Sequence, residues 1–351
     1  MARYIGLDAH SASCTIAVVG ISGRRLGCHV VETNAKVLVD LIKTIPRPRH
    51  LCFEEGTHSA WLYEILSRHA DQIVVTGIRQ SRGPKDDQRD AFDLADKLRT
   101  NSIETRVYKE IGSFGRLREL ARVYGMQVRD SVRVQNRIKA LYQSRAIPTP
   151  GDRIYDPDQR AEWIGKLPAS SQPVVQILVQ QYEAIEKLRA DAENQMLTES
   201  RKHSITKKLM TIPGLGKIRV AELVPIIVSP HRFRTKRQLW KYAGLGIVMR
   251  SSSDWVQDPA GRWSKANVQQ TRGLNHNHNT TLKGIFKGAA TTVIGQAHPD
   301  CPLYQHYSSL LQGKTKPNLA KVTIARQIAA ITLSLWKKEE CYSAAKVKKT
   351  T

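Results

Sequence analysis

Short apolar runs separated by turn residues fill the first 80 residues of the chain. Tyr4–Asp8 and Ser13–Val19 are rich in apolar and β-branched residues, and the turn Gly20–Gly23 leads into a third run, Leu26–Glu32. Runs of this length and composition predict strands, here a meander of three antiparallel strands. Helix and strand then alternate. The predicted elements are a helix over Ala35–Ile45 capped at Thr33-Asn34, a strand over His50–Glu54, a helix over Ala60–His69 and a strand over Ile73–Gly77.

The order of these patterns divides the chain into four regions. A three-stranded meander followed by alternating helix and strand is the element order of an RNase H-like domain, so we predict this α/β fold for residues 1–110. Residues 111–203 have a helical pattern and are predicted to form a connector. Residues 204–340 are predicted to form a second, mostly α-helical domain, and residues 341–351 a basic tail.

Two long helical segments dominate the connector. The first runs from Phe114 to near Arg145, and the second from Pro173 to about Thr198. Along the second, apolar residues recur at spacings of three and four, which suits a coiled-coil or helical-hairpin seam. These residues are Leu178, Tyr182, Ile185, Leu188, Ala192 and Met196. A helix that packs on its own domain is the alternative.

The first of these helices carries four arginines at spacings of seven, four and four. They are Arg122, Arg129, Arg133 and Arg137. This spacing places them on one face of a helix. The face could follow the phosphates of a nucleic acid, or it could be an ordinary solvated surface.

The net charge of +24 comes from 55 Lys and Arg against 31 Asp and Glu. Residues 1–200 hold 29 basic and 25 acidic residues, whereas residues 201–351 hold 26 basic and 6 acidic residues. A polyanion is the natural partner of so basic a half, because each neutralised phosphate releases condensed counterions. A generically basic soluble protein is the alternative reading. An anionic membrane surface is a less suitable partner, because no basic amphipathic terminal helix stands out in the sequence.

Cysteine usage and hydropathy limit the compartment. The five cysteines are scattered and form no C-x-x-C pair, which argues against a disulfide framework or a zinc ribbon. The sequence has no apolar run of membrane-spanning length and no secretory signal at its start, so we predict a cytoplasmic protein.

Acidic residues stand where predicted elements end or begin. Asp8 closes the first strand and Glu54 closes the buried strand, while Asp87 and Asp90 are three residues apart at the start of a possible helix. Four converging carboxylates become tolerable when Mg²⁺ or Mn²⁺ neutralises them, so these four are predicted metal ligands. For Asp93 and Asp96 we favour the simpler reading of helix charges.

The segment Ile212-Pro-Gly-Leu-Gly-Lys217 is flanked by helical patterns and predicts a helix-hairpin-helix. Gly214 and Gly216 would let the backbone approach a phosphate, and free N–H groups follow at the next helix N-terminus. Lys217 and Arg219 add cations. A plain turn between two helices is the alternative.

A run of three serines, Ser251, Ser252 and Ser253, follows Arg250 in the cationic half. By spacing alone a flexible loop is favoured over a nucleophile. His276 and His278 lack a further convincing ligand and are read as nucleic-acid or structural residues.

Taken in order, these pieces resemble the DEDD-type insertion-sequence transposases, which are related to the pilin-gene invertases. The resemblance covers nearly the whole chain, and each marker is weak alone. Its markers are IGLDAH with Asp8, FEEGTHSAWL with Glu54, DDQRDAFDLA with Asp87 and Asp90, IPGLGK, and LWKYAGLG followed by the serines.

The resemblance implies a Holliday-junction-resolvase (RuvC-like) version of the RNase H fold, whose four metal-binding acids fall on Asp8, Glu54, Asp87 and Asp90. It also implies a serine that attacks DNA and forms a phosphoserine link, and this nucleophile falls on Ser252. Here the sequence departs from the family, with Gly246-Ile247 where a proline is usual and Ser253 where a glycine is usual, so Ser251 and Ser253 stay open. Arg250 is the candidate clamp for the transferring phosphate.

The partners implied are double-stranded DNA, a structured noncoding guide RNA used by some members, and further copies of the chain in a dimer or tetramer. Three alternatives are a metal-dependent nuclease or junction resolvase that uses only the carboxylates, an actin-like sugar kinase, and a non-catalytic nucleic-acid-binding protein. The kinase would need glycine-rich nucleotide loops, which are not legible in the sequence.

Overall fold

The structure is a computed structural model that describes residues 1–77, 86–104, 106–107, 112, 114–249, 255–265 and 271–346. The chain divides into two units, Met1–Gly112 and Ser113–Thr351. The predicted division into residues 1–110, 111–203 and 204–340, followed by a tail, stays a prediction.

The first unit is an α/β unit built on one mixed sheet. Its elements are β1 (Arg3–Ala9), β2 (Ser13–Gly20), β3 (Arg25–Glu32), α1 (Ala35–Thr44), β4 (Arg49–Glu54), α2 (Ser59–Leu66), β5 (Gln72–Thr76), α3 (Asp87–Arg99) and β6 (Arg106–Val107). The strand order is β3-β2-β1-β4-β5-β6. The meander β1 to β3 is antiparallel, as predicted, and β4 and β5 continue from β1 in parallel. The α/β class is therefore confirmed, and the RNase H-like assignment stays a prediction.

Alternation along the central strands sends side chains to two separate cores. Ile5 and Leu7 of β1 pack on one face with buried residues of α1 and α2, such as Leu38 and Leu62. Cys52 of β4 points to the other face and packs with residues of α3. The sheet thus lies between α1 and α2 on one side and α3 on the other. The predicted cap of α1 is confirmed, since the Asn34 side chain accepts hydrogen bonds from the first turn of that helix.

The second unit is mostly helical. Its helices are α4 (Gly115–Gln143), α5 (Arg160–Gly165), α6 (Gln172–Ser200), α7 (Ser204–Leu209), α8 (Lys217–Ile227), α9 (Lys236–Tyr242), α10 (Thr280–Gln296), α11 (Pro302–Gln312) and α12 (Pro317–Lys338). Its short strands are β7 (Ile247–Met249), β8 (Trp255–Gln257), β9 (Trp263–Lys265) and β10 (Thr271–Leu274); β7 pairs with β10, and β8 with β9, all antiparallel. The helices from α7 onward share one large apolar core with the start of α4 and the end of α6.

Helices α4 and α6 pack along each other as an antiparallel hairpin. Near the end of α4, Val134 and Ile138 pack with Val175 and Val179 near the start of α6. The predicted seam is right for most of its residues but wrong for Leu188, which is 54% exposed. A helix turns 100° per residue, so the positions that face α4 after Ile185 are 189 and 192, and Leu188 points outward.

Within the ranges that the structure describes, no helix combines the length and the apolarity needed to cross a bilayer.

Candidate functional site

Helix α3 lies directly against strand β1 because Gly6 has no side chain. A Cβ at Gly6 would stand only 1.9 Å from the carbonyl oxygen of Ala91, so only glycine allows the two backbones to approach this closely. The contact is two residues before Asp8 on the strand and one residue after Asp90 on the helix. It therefore brings the start of α3 to the carboxyl end of β1.

The acidic run at the start of α3 has two distinct parts. Asp86 is the N-cap, and its side chain accepts hydrogen bonds from the backbone N–H groups of Gln88 and Arg89. Further along, Asp93 pairs with Lys97 and Asp96 pairs with Arg99. Asp87 and Asp90 occupy the first turn of the helix, as the sequence predicted.

Asp8 and Asp87 meet on either side of a histidine that the sequence analysis did not single out. Nε2 of His10 lies 3.3 Å from Oδ2 of Asp8 and 3.3 Å from Oδ1 of Asp87. One ligand atom from each of the three residues lies within 4.8 Å of the other two. The signal was legible, because His10 follows Asp8 by two residues in the turn between β1 and β2.

Glu54 and Asp90 lie at the margin of this cluster. Strands β1 and β4 are parallel and their last paired residues are Leu7 and Phe53, so Asp8 and Glu54 are the next residue on each strand. Both side chains alternate to the face that α3 covers, the face of Gly6 and Cys52. Asp90 is near enough to influence the charge of Asp8. The metal-competent group of the described residues contains neither Glu54 nor Asp90.

The pKa of the Asp8 carboxyl is shifted by its surroundings. Burial raises the pKa of its carboxyl above the ordinary value, His10 opposes this shift, and the carboxylates of Asp87 and Asp90 raise the pKa further. The repulsion from the carboxylates of Asp87 and Asp90 is the part of this shift that favours added positive charge beside Asp8. Carboxylate oxygens are the preferred ligands of Mg²⁺ and Mn²⁺, and a bound divalent cation would relieve the repulsion, so the residues present fit such an ion.

The IPGLGK segment forms the turn between α7 and α8. Gly214 has φ +81°, and a Cβ there would meet the carbonyl oxygen of Ala289 in α10 at 2.4 Å. Nη1 of Arg219 donates to the carbonyl oxygen of Gly214 (2.8 Å) and to Oγ1 of Thr292 (2.9 Å). Gly214 and Arg219 are thus engaged with the rest of the protein, a use that the sequence did not predict.

The other side of the same turn faces outward. Gly216 is the N-cap of α8, and a Cβ at this position would meet no heavy atom within 4 Å. Lys217 is exposed at the first helical position. An open helix N-terminus beside a cation is a suitable place for a phosphate, although the assignment as a helix-hairpin-helix stays a prediction.

The four predicted arginines all lie on the single helix α4, and all are exposed. Arg133 forms an ion pair with Asp130 of the same helix, with Nη1 2.8 Å from Oδ1. Arg122, Arg129 and Arg137 occupy the same outer side, away from the seam with α6. The helix therefore presents a cationic stripe about 22 Å long, at 1.5 Å per residue.

The predicted nucleophile lies outside the described residues. These exclude Arg250, Ser251, Ser252 and Ser253, between the end of β7 and the start of β8. Upstream, the ring of His278 packs against Gly244, where a Cβ would stand 2.4 Å from that ring. This contact favours the structural reading of His278.

The chain thus combines an α/β unit that holds an acidic, metal-competent cluster with a strongly cationic helical unit. Comparison with known families indicates the class of protein. Residues 206–277 match the family described as Transposase IS116/IS110/IS902 family, about a fifth of the chain. This match supports a DNA transposase of an insertion sequence. A comparison with curated proteins finds no match.

Proposed function

We propose that the chain is an insertion-sequence transposase that cuts and rejoins DNA through a phosphoserine intermediate at Ser252, assisted by a metal site at Asp8, Glu54, Asp87 and Asp90. The transposase match over residues 206–277 supports the class. The observation that carries the mechanism is the meeting of Asp8, His10 and Asp87 at the junction of β1 and α3.

The reaction is a pair of transesterifications. The Ser252 hydroxyl loses its proton and attacks the phosphorus of a phosphodiester. A serine oxygen–phosphorus bond forms, and the bond to one sugar oxygen breaks and that oxygen is protonated. In the second step a sugar hydroxyl of another strand attacks the phosphoserine and releases the serine. One ester bond replaces another throughout, so no ATP is required.

The acids have a supporting role in this scheme. A divalent cation, when bound, supplies positive charge that stabilises the attacking and leaving oxygens in phosphodiester chemistry. Asp8 and Asp87 would hold it, with Glu54 and Asp90 completing the set. His10 contacts both Asp8 and Asp87 and fixes the direction of their carboxylates. His10 is therefore a positioning residue in this proposal.

Two cationic surfaces of the second unit would hold the nucleic acid. The arginine stripe of α4 and the open start of α8 at Gly216 and Lys217 each suit phosphate contacts, which position a duplex without reading its sequence. Arg250 would clamp the transferring phosphate. A structured guide RNA and assembly into a dimer or tetramer belong to the same proposal, through the resemblance to transposases of this type.

A nuclease or junction resolvase that uses only the carboxylates is the second candidate. The observation that favours it is that Asp8, His10 and Asp87, all of the first unit, form a metal-competent group. The two candidates differ in one product, a covalent complex between protein and DNA.

The test is to incubate the purified chain with Mg²⁺, element-end DNA and the noncoding RNA that flanks the element. We expect a DNA-linked protein band that disappears in Ser252→Ala and persists in Ser251→Ala and Ser253→Ala. Loss in one of the neighbours instead would move the nucleophile by one residue. Strand cleavage that persists in all three variants with no linked band would establish the nuclease.

A further inference from the structure

The hairpin of β8 and β9 exposes two tryptophans. Trp255 is 57% exposed and Trp263 is 63% exposed, the largest aromatic exposures among the described residues. Indole rings are usually found in cores or interfaces, because each buries a large apolar area. The hydrophobic clusters formed by the described residues contain neither ring. Two such rings on a surface indicate a surface that binds something.

The register places both rings on the same face of the hairpin. Trp255 pairs with Lys265, and Gln257 pairs with Trp263, so the two tryptophans are diagonal neighbours. Diagonal positions across an antiparallel pair are about 7–8 Å apart. Val256 and Ser264 form the intervening pair and point to the opposite face.

The turn holds the two strands in a fixed arrangement. Oδ1 of Asp258 accepts hydrogen bonds from the backbone N–H groups of Ala260 and Arg262, each at 2.9 Å. The Asp258 N–H donates to the carbonyl oxygen of Arg262, and Gly261 takes the positive φ of +76° that closes the turn. The tryptophans are thus presented on a structured hairpin whose rings contribute little to a core.

The chemistry around the hairpin selects the partner. The second unit holds 39 Lys and Arg against 17 Asp and Glu, so a polyanion is attracted to it. Arg262 directly precedes Trp263 in the turn; its side chain is 82% exposed and pairs with Asp258, with Nε 3.5 Å from Oδ2. Flat aromatic rings next to cations bind unstacked nucleobases, because a base offers its face to the ring and its phosphate to the cation.

We propose that the face formed by Trp255 and Trp263 stacks with unpaired DNA bases and so recognises DNA opened at the site of strand exchange. This inference rests on the proposed function. Ser252, the residue assigned to strand attack, precedes Trp255 by three residues in the sequence. That adjacency favours DNA as the occupant over RNA or a second copy of the chain.

The test measures binding of the full chain to two labelled DNAs of the same length, one fully paired and one with a central unpaired bubble containing 2-aminopurine. Fluorescence anisotropy gives the affinities, and the 2-aminopurine signal reports stacking. We expect the double variant Trp255→Ala/Trp263→Ala to bind the bubble on the order of tenfold more weakly per stacked base and to bind the paired duplex within about twofold of wild type.

Two matched variants separate stacking from hairpin folding. Trp255→Phe/Trp263→Phe keeps the aromatic faces and should restore most of the affinity for the bubble. Val256→Ala removes an apolar side chain from the opposite face and should leave both affinities unchanged.

Three results would overturn the inference. The first is an unchanged affinity of the double alanine variant for the bubble. The second, measured with a labelled single-stranded RNA of the same length as a third ligand, is a loss of affinity confined to that RNA. The third is an oligomeric mass of the double alanine variant, measured by sedimentation, that differs from that of the wild type. This result would mean that a second copy of the chain covers the rings. If the wild type bound neither DNA, the proposed function itself would fail, an outcome that is distinct from these three.

Discussion

The two units of the chain differ in charge as much as in secondary structure. Residues 1–112 hold 16 Lys and Arg against 14 Asp and Glu, whereas residues 113–351 hold 39 against 17. The first unit brings Asp8 and Asp87 together at the carboxyl end of β1, and the second presents exposed cations on helices such as α4. An acidic cluster attracts a small cation and a cationic surface attracts a polyanion, so under the proposed function each unit has its own task.

Under the proposed function, this difference separates the metal-assisted part of strand cleavage from the attachment of the DNA to surface cations. If it is correct, substitutions in the first unit change strand cleavage and leave DNA binding intact, and substitutions of surface cations in the second unit do the opposite. Two predictions test that division, and a third tests the packing of α3 on β1 that brings Asp87 to Asp8.

The largest effect is expected from Asp8→Asn. The substitution removes one carboxylate from the cluster without changing its size, and we expect cleavage of element-end DNA to fall at least a hundredfold, on the order of the loss of a metal's charge stabilisation. DNA affinity should stay within about twofold. Gel assays of cleavage and anisotropy measurements of binding supply the two numbers.

Asp96→Asn is the matched control for that variant, because Asp96 lies on the same helix and pairs with Arg99 away from the cluster. Its cleavage rate should equal that of the wild type. Equal losses of cleavage rate in Asp8→Asn and Asp96→Asn would contradict the proposal. They would show that the reaction depends on the overall negative charge of this region and not on the cluster at Asp8.

Gly6→Ala is expected to destabilise the first unit. The new methyl group would overlap the carbonyl oxygen of Ala91, so α3 must move away from β1. Overpacking of this kind costs about 1–3 kcal/mol, and unfolding of the first unit should begin several degrees lower. Thermal unfolding followed by limited proteolysis identifies which unit opens first.

Gly216→Ala provides the contrast, since its Cβ would enter open space and its φ is −74°. Its melting temperature should change little. A melting temperature of Gly6→Ala equal to that of the wild type would mean that α3 does not rest on β1 at this glycine.

The smallest effect is expected from Arg129→Ala on the outer side of α4. Each phosphate contact that is lost lowers the slope of log affinity against log salt concentration by about 0.9 for duplex DNA, with uniform weakening across DNA sequences. A salt titration of duplex binding measures that slope. Arg160→Ala is a suitable control because Arg160 pairs with Glu183 within the unit. A slope that is unchanged in Arg129→Ala would remove α4 from the DNA surface.

The features that the sequence alone predicted are those that depend on residues close to one another along the chain. The strands of the meander, the cap at Asn34 and the first-turn position of Asp87 and Asp90 follow from alternation and local hydrogen bonding. His10 was missed although it follows Asp8 by two residues. Its role depends on Asp87, which is brought close only by the packing of α3 on the sheet.

Features that depend on distant residues were not predictable in the same way. Leu188 has the spacing of a seam residue, but the rotation of α6 relative to α4 turns it outward. Gly214 and Arg219 have the composition of a phosphate-binding turn, yet both engage residues of α10 some 70 positions later in the chain. Spacing identifies which residues can share a face, and tertiary packing decides what that face contacts.

The anchoring of the α7–α8 turn on α10 has a consequence for folding autonomy. The stretch that matches the transposase family ends at residue 277, and α10 begins at Thr280. A polypeptide cut at the edges of that stretch therefore lacks the backbone that Gly214 rests on and the hydroxyl that accepts from Arg219. We therefore expect that an excised fragment must extend through α10 to keep the turn in its native shape.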